Sequence, residues 1–449
     1  MTLPDKQSAF PCSQVPDAIP AARVLGIYPQ VQEGLFMQRV RVPGGVLAGP
    51  QWQALAAIIR RFMPATPLHL TTRQDIEMHD LRGDQIPQVQ QALAQAGLTS
   101  LGSGGNALRN VTVCPCSGTS EPDLLPLAGL IQQTLQSREE FFALPRKFKI
   151  SLSACGEGCG QPWINDLGFV AREQDGRIGF AVTIAGSLGP RPVTAMLLTN
   201  WLDARDAVPL ALAVLQVFAA HGDRQNRLQA RLRHVRQRLG DEAFASLIWR
   251  ELDQVRPQQA WPDVVLRATT NRLAGRATLT FPNGDVSADM ADSIGRLAED
   301  SSLKVKIANH HRVIVFGPDA ATVATAVARQ QSLATAAVSQ PAIVACPGRR
   351  WCGRALTDTN GLANLLRDAL CERISSDRTI CISGCPNGCA HSTVADIGII
   401  GLVDSAGGQK REVYNLYLYG GMGRNARLAE LSAQRLSTHE VLARILNEL

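Results

Sequence analysis

The chain has 449 residues, 45% of them hydrophobic and 19% charged, with a net charge of +6. That length predicts two or more domains, and the composition describes a globular protein with ample core. No apolar run reaches the ~18–20 residues that a membrane-crossing helix needs, and no Lys/Arg tract is interleaved with aromatics. The basic residues, including Arg60-Arg61 and the run from Arg224 to Arg238, are therefore read as solvated helix faces, with no nucleic-acid or membrane partner. The opening Met1-Thr2-Leu3-Pro4-Asp5-Lys6 has no basic segment leading into an apolar one, so the expectation is a cytoplasmic protein. A mild positive excess suits an anionic substrate or an acidic electron-donor protein.

In chain order, Val40-Arg41-Val42-Pro43-Gly44-Gly45 reads as a strand ending in a turn, and Trp52 to Phe62 as a helix by its 3.6-residue apolar spacing. Leu68-His69-Leu70-Thr71-Thr72-Arg73-Gln74 is the next strand. A copy of this plan recurs at a period of about 230 residues: Leu279-Thr280-Phe281-Pro282-Asn283-Gly284, a helix, then Val305-Lys306-Ile307-Ala308-Asn309-His310. A sharper match pairs Ser151-Leu152-Ser153-Ala154-Cys155-Gly156-Glu157-Gly158-Cys159 with Cys381-Ile382-Ser383-Gly384-Cys385-Pro386-Asn387-Gly388-Cys389. Each is followed by an Asp-x-Gly, Asp166-Leu167-Gly168 and Asp396-Ile397-Gly398, and Cys114 precedes the first as Cys346 precedes the second. Four segments result: a small α/β unit (27–90), a larger Cys-bearing unit (105–250), a second small unit (262–330) and a second Cys-bearing unit (338–449). An Arg- and Gln-rich helix from Asp223 onward is expected to join the halves. The predicted fold class is α+β, or mixed α/β, with internal pseudo-twofold symmetry.

Eleven cysteines is an odd number, and several cluster beside Gly and Pro. In a reducing compartment such clusters favour metal over disulfides. Cys346 and Cys352 are spaced C-x5-C, and Cys385 and Cys389 C-x3-C. Two such clips can supply four thiolates to a cubane iron–sulfur cluster. Zinc is the competitor, although its clips are usually tighter than x5. Cys114, Cys116, Cys155 and Cys159 are read as remnants of the duplication, because C-x-C leaves little room for two ligands on separate cube corners. Cys12, Cys371 and Cys381 read as packing residues. There is no P-loop or dinucleotide motif, and Gly102-Ser103-Gly104-Gly105 lacks the strand-then-helix context. Electrons are therefore expected from another protein.

In order along nearly the whole chain, Glu33 to Gly45, Thr71-Thr72-Arg73-Gln74, Arg109-Asn110-Val111, Leu144-Pro145-Arg146-Lys147-Phe148-Lys149 and the paired clips resemble the siroheme-dependent sulfite and nitrite reductases. The resemblance implies two ferredoxin-like half-domains and two larger siroheme/Fe–S domains. It implies a [4Fe–4S] cluster on Cys346, Cys352, Cys385 and Cys389, with Cys389 also the axial ligand of siroheme. Arg73, Arg109, Lys147 and Lys149 become the anion pocket, with Arg73, Asn309 and His310 positioning the macrocycle, and the donor a ferredoxin or flavoprotein. Chemically this is apt: Arg offers fixed forks of donors, Lys a movable proton, and Lys147 and Lys149 share a face if on a strand. Lys149, where nitrite reductases of the family tend to carry Asn, favours sulfite as substrate by charge matching to a dianion. Nitrite is the alternative, followed by a monooxygenase related to precorrin-3B synthase and a non-catalytic Fe–S subunit.

Overall fold

The computed structural model describes residues 19–119, 121–267, 275–330, 342–370, 378–405 and 408–448; Cys12 and Cys371 lie outside them. Both small units follow the expected strand–helix–strand–strand order, each extended by a further helix. In the first these are Leu35–Val40, Gly49–Phe62, Leu68–Leu70, Ile76–Arg82 and Ile86–Gln95. In the second they are Arg276–Thr280, Ala288–Glu299, Lys304–Ala308, Arg312–Phe316 and Ala320–Gln330. The Pro43–Gly45 turn is closed by Gly44 and Gly45 at φ 59° and 76°, and its counterpart by Asn283 and Gly284 at 56° and 78°. Both turns demand the left-handed backbone that Gly and Asn tolerate.

The two small units are not independent. The short strand Asp285–Val286 of the second pairs antiparallel with Leu68–His69 and becomes the fifth strand of the first unit's sheet. The helices Gly49–Phe62 and Ala288–Glu299 also pack together. A Cβ on Gly49 would stand 2.8 Å from the carbonyl oxygen of Gly295, so small residues set their separation. Trp52, Leu55 and Ile59 then bury in one core with Phe281, Val286 and Ile294, and apolar burial of this kind is the main stabilising term of the fold.

The larger units repeat one topology. Strands Thr112–Val113, Ile150–Ser153, Leu167–Gln174, Arg177–Ile184 and Met196–Asp203 lie side by side in that order, as do Ala342–Ala345, Thr379–Ser383, Ile397–Asp404, Arg411–Leu418 and Glu430–Leu436. In each sheet the first two pairings are parallel and the last two antiparallel. Each cysteine clip therefore leaves the C-terminal edge of adjacent parallel strands, where loops from neighbouring strands converge. The two Asp-x-Gly segments brace their sheets in the same way. Asp166 Oδ2 accepts from the Lys149 amide at 3.0 Å, and Asp396 Oδ2 from the Thr379 amide at 2.8 Å.

The Arg-rich connection differs from expectation. It holds two helices, Leu232–Leu239 and Asp241–Val255, broken at Gly240 (φ 83°), and Leu232, Val235, Phe244, Ile248 and Leu252 sink into the first large core. Nor is its charge simply solvated: Arg231 and Arg233 are buried, and Arg224 and Arg227 line an internal cavity. Residues 224–238 hold six arginines and no acid. A solvated helix face of that composition would repel itself; here Arg231 meets the distant Asp166, Arg236 meets Asp241 at the start of the next helix, and Arg224, Arg233 and Arg238 donate to backbone carbonyls. Cys381 is fully buried beside Val344 and Ala390, a packing residue. Among the described residues no helix is long and apolar enough to cross a membrane.

Candidate active site

Both halves line one cavity of about 1950 Å³. Ten Arg or Lys side chains face it against the acids Asp75, Glu77 and Glu139. That excess makes the cavity a trap for anions, since low-dielectric walls focus the field.

Arg73 projects from the turn after strand Leu68–Leu70. Its Nη1 donates to Asn165 Oδ1 (2.6 Å) and its Nη2 to the Asn110 carbonyl (2.9 Å), while Nε, also buried, has no protein partner. Burial lowers its pKa to about 10. Arg109 is gripped by the glycine-rich loop: Nη1 and Nη2 donate to the Ser103 and Gly105 carbonyls, both at 2.8 Å, and its buried Nε is also without a partner. Lys147 and Lys149 flank Phe148, which bridges to Leu108 as a strand residue does. Phe148 and Ile150 enter the core, leaving the two half-buried lysines on the cavity side. Burial, then Arg231, pulls the Lys147 pKa down to about 7, with Cys389 opposing and Arg109 and Arg146 reinforcing. Lys149 is held well below the ordinary lysine range by burial, Arg73, Lys147 and Arg231, against Asp166. Crowded cations in a low-dielectric wall shed protons most easily from lysine, because guanidinium is so strongly basic.

Asp166 orders this wall. It is fully buried and meets Arg231 Nη2 at 2.9 Å while accepting from the Lys149 amide. Asp166→Asn leaves Arg231 buried without its counter-charge. It is expected to cost about 3–5 kcal/mol, seen as a fall of several degrees in the thermal midpoint of the purified protein.

Cys346 follows strand Ala342–Ala345, Cys352 the turn Gly348–Arg350, and Cys385 and Cys389 the strand Thr379–Ser383. All four line the cavity. The Cys346 sulfur accepts from the Gly384 amide at 3.2 Å; burial and then Cys389 push its pKa up to about 12, so a metal must displace its proton. No three of these four sulfurs lie within 4.8 Å of one another. Thiolates on separate irons must stand around a cube in this way, whereas a single zinc would draw them to ~3.8 Å, the tetrahedral consequence of a 2.3 Å bond. The donor set fits an iron–sulfur cluster. The adjoining space, with partnerless Arg73 and Arg109 Nε atoms and cations on several sides, fits a polycarboxylate macrocycle.

Asn309 and His310 are not among the residues lining this cavity, but Asn309 shares a small adjoining pocket with Arg73, Lys149 and His391. Asn309 Nδ2 donates to the Cys159 carbonyl at 3.2 Å. His310 is buried with Nε2 unpartnered, its pKa lowered to about 4 by burial and Arg312. Its neighbour His311 lines the cavity instead. Both histidines have positive φ, 65° and 57°, so a one-residue twist exchanges which ring faces inward, and no sequence pattern signals that. Sequence reasoning also passed over Arg146, Arg354 and Tyr28 in the cavity wall. Arg146 stood inside a motif already singled out, and Arg354 two residues beyond Cys352; Tyr28 gave no signal.

Two known sequence families match this chain. One, described as the nitrite and sulphite reductase 4Fe-4S domain, matches residues 104–255 and 340–447. The other, the nitrite/sulfite reductase ferredoxin-like half domain, matches 28–96. The ferredoxin–nitrite reductase of Synechococcus elongatus is 31% identical over 433 residues, 90% of this chain and 84% of that protein. That of Leptolyngbya laminosa is 29% identical over 423 residues, 89% and 82%. Among solved structures, the Mycobacterium tuberculosis NirA protein superposes with a TM-score of 0.81 at 23% identity, covering 94% of this chain and 85% of that one, which shows the fold. Matched in order along most of its length, the chain belongs to the nitrite and sulfite reductase family, oxidoreductases that use siroheme and a [4Fe–4S] cluster.

Proposed function

We propose that this protein reduces nitrite to ammonium with electrons from a ferredoxin. The observation that carries the reading is one cavity lined by both Cys346, Cys352, Cys385, Cys389 and Arg73, Arg109, Lys147, Lys149. In this reading the four thiolates hold the cluster, Cys389 also ligates siroheme, and the small and large units divide at 27–90, 105–250, 262–330 and 338–449. Siroheme, when bound, supplies the iron that takes the anion and receives electrons from the cluster.

The chain's own residues supply orientation and protons. Arg73, fixed by Asn110 and Asn165, and Arg109, fixed by the Ser103 and Gly105 carbonyls, present immobile donors to a small oxyanion and lose no freedom in doing so. Nitrite needs six electrons and eight protons to become ammonium and two waters. The Nζ of Lys147, pulled down to about 7, can give and regain a proton near neutrality, and that of Lys149, held well below its ordinary range by burial and neighbouring cations, gives its proton up more readily than a free lysine. Relatives in cyanobacteria named ferredoxin–nitrite reductases support both substrate and donor.

Sulfite, favoured from Lys149 alone, becomes the second reading. That inference needs Lys149 as a standing cation, and burial among Arg73, Lys147 and Arg231 works against its charge. Turnover of each anion with reduced ferredoxin, and with an artificial reductant, tests the choice. Nitrite is expected to lead in kcat/KM; a lead for sulfite would overturn the proposal, and turnover of neither would revive the monooxygenase reading. A bound dianion would draw a proton back onto Lys149, so Lys149→Asn is expected to raise the nitrite-to-sulfite ratio about tenfold, some 1.4 kcal/mol.

A further inference from the structure

The second cysteine set does not behave as scattered remnants. Cys114 leaves strand Thr112–Val113 with Cys116 two residues on, and Cys155 and Cys159 follow strand Ile150–Ser153. The sulfurs of Cys114, Cys155 and Cys159 all lie within 4.8 Å of one another. Cys155 Sγ is 3.1 Å from Cys159 Sγ, and Cys116 Sγ is 3.8 Å from Cys159 Sγ. All four are free thiols, and 3.1 Å is far beyond the ~2.05 Å of a disulfide bond. None of them is among the residues lining the large cavity.

We propose that Cys114, Cys116, Cys155 and Cys159 form a mononuclear zinc site, structural and separate from the redox centre. Tetrahedral Zn–S bonds of about 2.3 Å require sulfurs ~3.8 Å apart; Cys116 stands at 3.8 Å from Cys159, and the sulfurs of Cys114, Cys155 and Cys159 are already gathered to that scale. The C-terminal four are not: the same strands and the same C-x3-C clip hold the sulfurs of Cys346, Cys352, Cys385 and Cys389 too far apart for any three to fall within 4.8 Å. The difference lies in the other clip. C-x5-C separates two ligands, whereas Cys114-Pro115-Cys116 delivers two thiols within three residues, which one ion can accept and two corners of a cube cannot. Four thiolates on a divalent ion leave two negative charges, and the surroundings answer them. The Ala154 amide donates to Cys114 Sγ at 3.0 Å. Buried Lys306 donates from Nζ to the Ser117 carbonyl, next to Cys116, and Lys304 to the Gly118 carbonyl at 2.7 Å. Asn309 donates to the Cys159 carbonyl from the second small unit, so the loops that would hold the metal are also tied to the other half of the chain.

Metal analysis of the full-length holoprotein tests this. About one zinc per chain is expected beside the iron, and zinc-edge X-ray absorption of the unmodified protein should show four sulfurs at about 2.3 Å. Cys116→Ser and Cys159→Ser should each lower zinc at least tenfold while iron and acid-labile sulfide stay at the unmodified value. Acid-labile sulfide amounting to two clusters per chain, loss of the iron–sulfur cluster in Cys159→Ser with no zinc in the unmodified protein, or a zinc-free protein with these four cysteines as free thiols or disulfides would each overturn the proposal. Should both variants fail to fold, the absorption spectrum of the unmodified protein still decides.

Discussion

Cys389→Ser is expected to lower nitrite turnover at least ~1000-fold, about 4 kcal/mol of barrier, and to strip siroheme from the purified protein. A serine hydroxyl keeps its proton far above neutral pH and offers hard oxygen where iron–sulfur chemistry wants soft thiolate. Cys389 is also the thiol that faces both groups of residues: it lines the cavity with the other three cysteines, and Lys147 senses it electrostatically. Thr72 Oγ1 donates to its carbonyl at 3.0 Å, so the loop is anchored independently of the sulfur and should keep its course when the sulfur is replaced. Cys381→Ala, which opens a small void behind the same strand, serves as control and should retain both cofactors. If Cys389→Ser kept its siroheme and its turnover, the axial assignment would be wrong, whatever became of the cluster.

Lys147→Met is expected to lower kcat by about 100-fold or more, the usual contribution of a positioned proton donor, and to change the pH profile. The sign follows from the lowered pKa. Lys147 is protonated below about pH 7 in the free protein, so kcat/KM for nitrite should fall as pH rises through that value. A bound anion stabilises the ammonium form, so the corresponding limb in kcat should lie higher. Lys147→Arg keeps the charge at every working pH but gives up its proton far less readily. It should bind nitrite nearly as well, turn it over slowly, and lack the limb near pH 7. An unchanged limb in Lys147→Met would assign it to another group, with Lys149 the next to replace.

The duplication was legible in the sequence because each copy needs the same local chemistry. The left-handed turns at Pro43–Gly45 and Pro282–Gly284, the Asp166 and Asp396 that accept from neighbouring strands, and the C-x3-C clips all recur at matching places. The direction of Lys147 and Lys149 was legible for the same reason, since alternation along an extended segment needs no long-range information. What escaped depends on partners distant in sequence. Arg231 looked like one more solvated arginine until Asp166, 65 residues away, buried it. Asn309 was assigned to the macrocycle by the family resemblance and shares a small pocket with Arg73 and Lys149, whereas at the two successive left-handed residues His310 and His311 it is His311 that lines the large cavity. The fate of Cys114, Cys116, Cys155 and Cys159 turned on sulfur separations of a few ångströms, which spacing along the chain constrains only loosely.

The strand Asp285–Val286, lent by one small unit to the sheet of the other, has a consequence for how this protein can be divided. Cutting the chain at its midpoint would not release two working modules. One fragment would carry an open sheet edge and the other a homeless strand, and the faces of the helices Gly49–Phe62 and Ala288–Glu299 would both be bared to water. The twin halves resemble each other as sequences, yet as folded objects they are a single indivisible body.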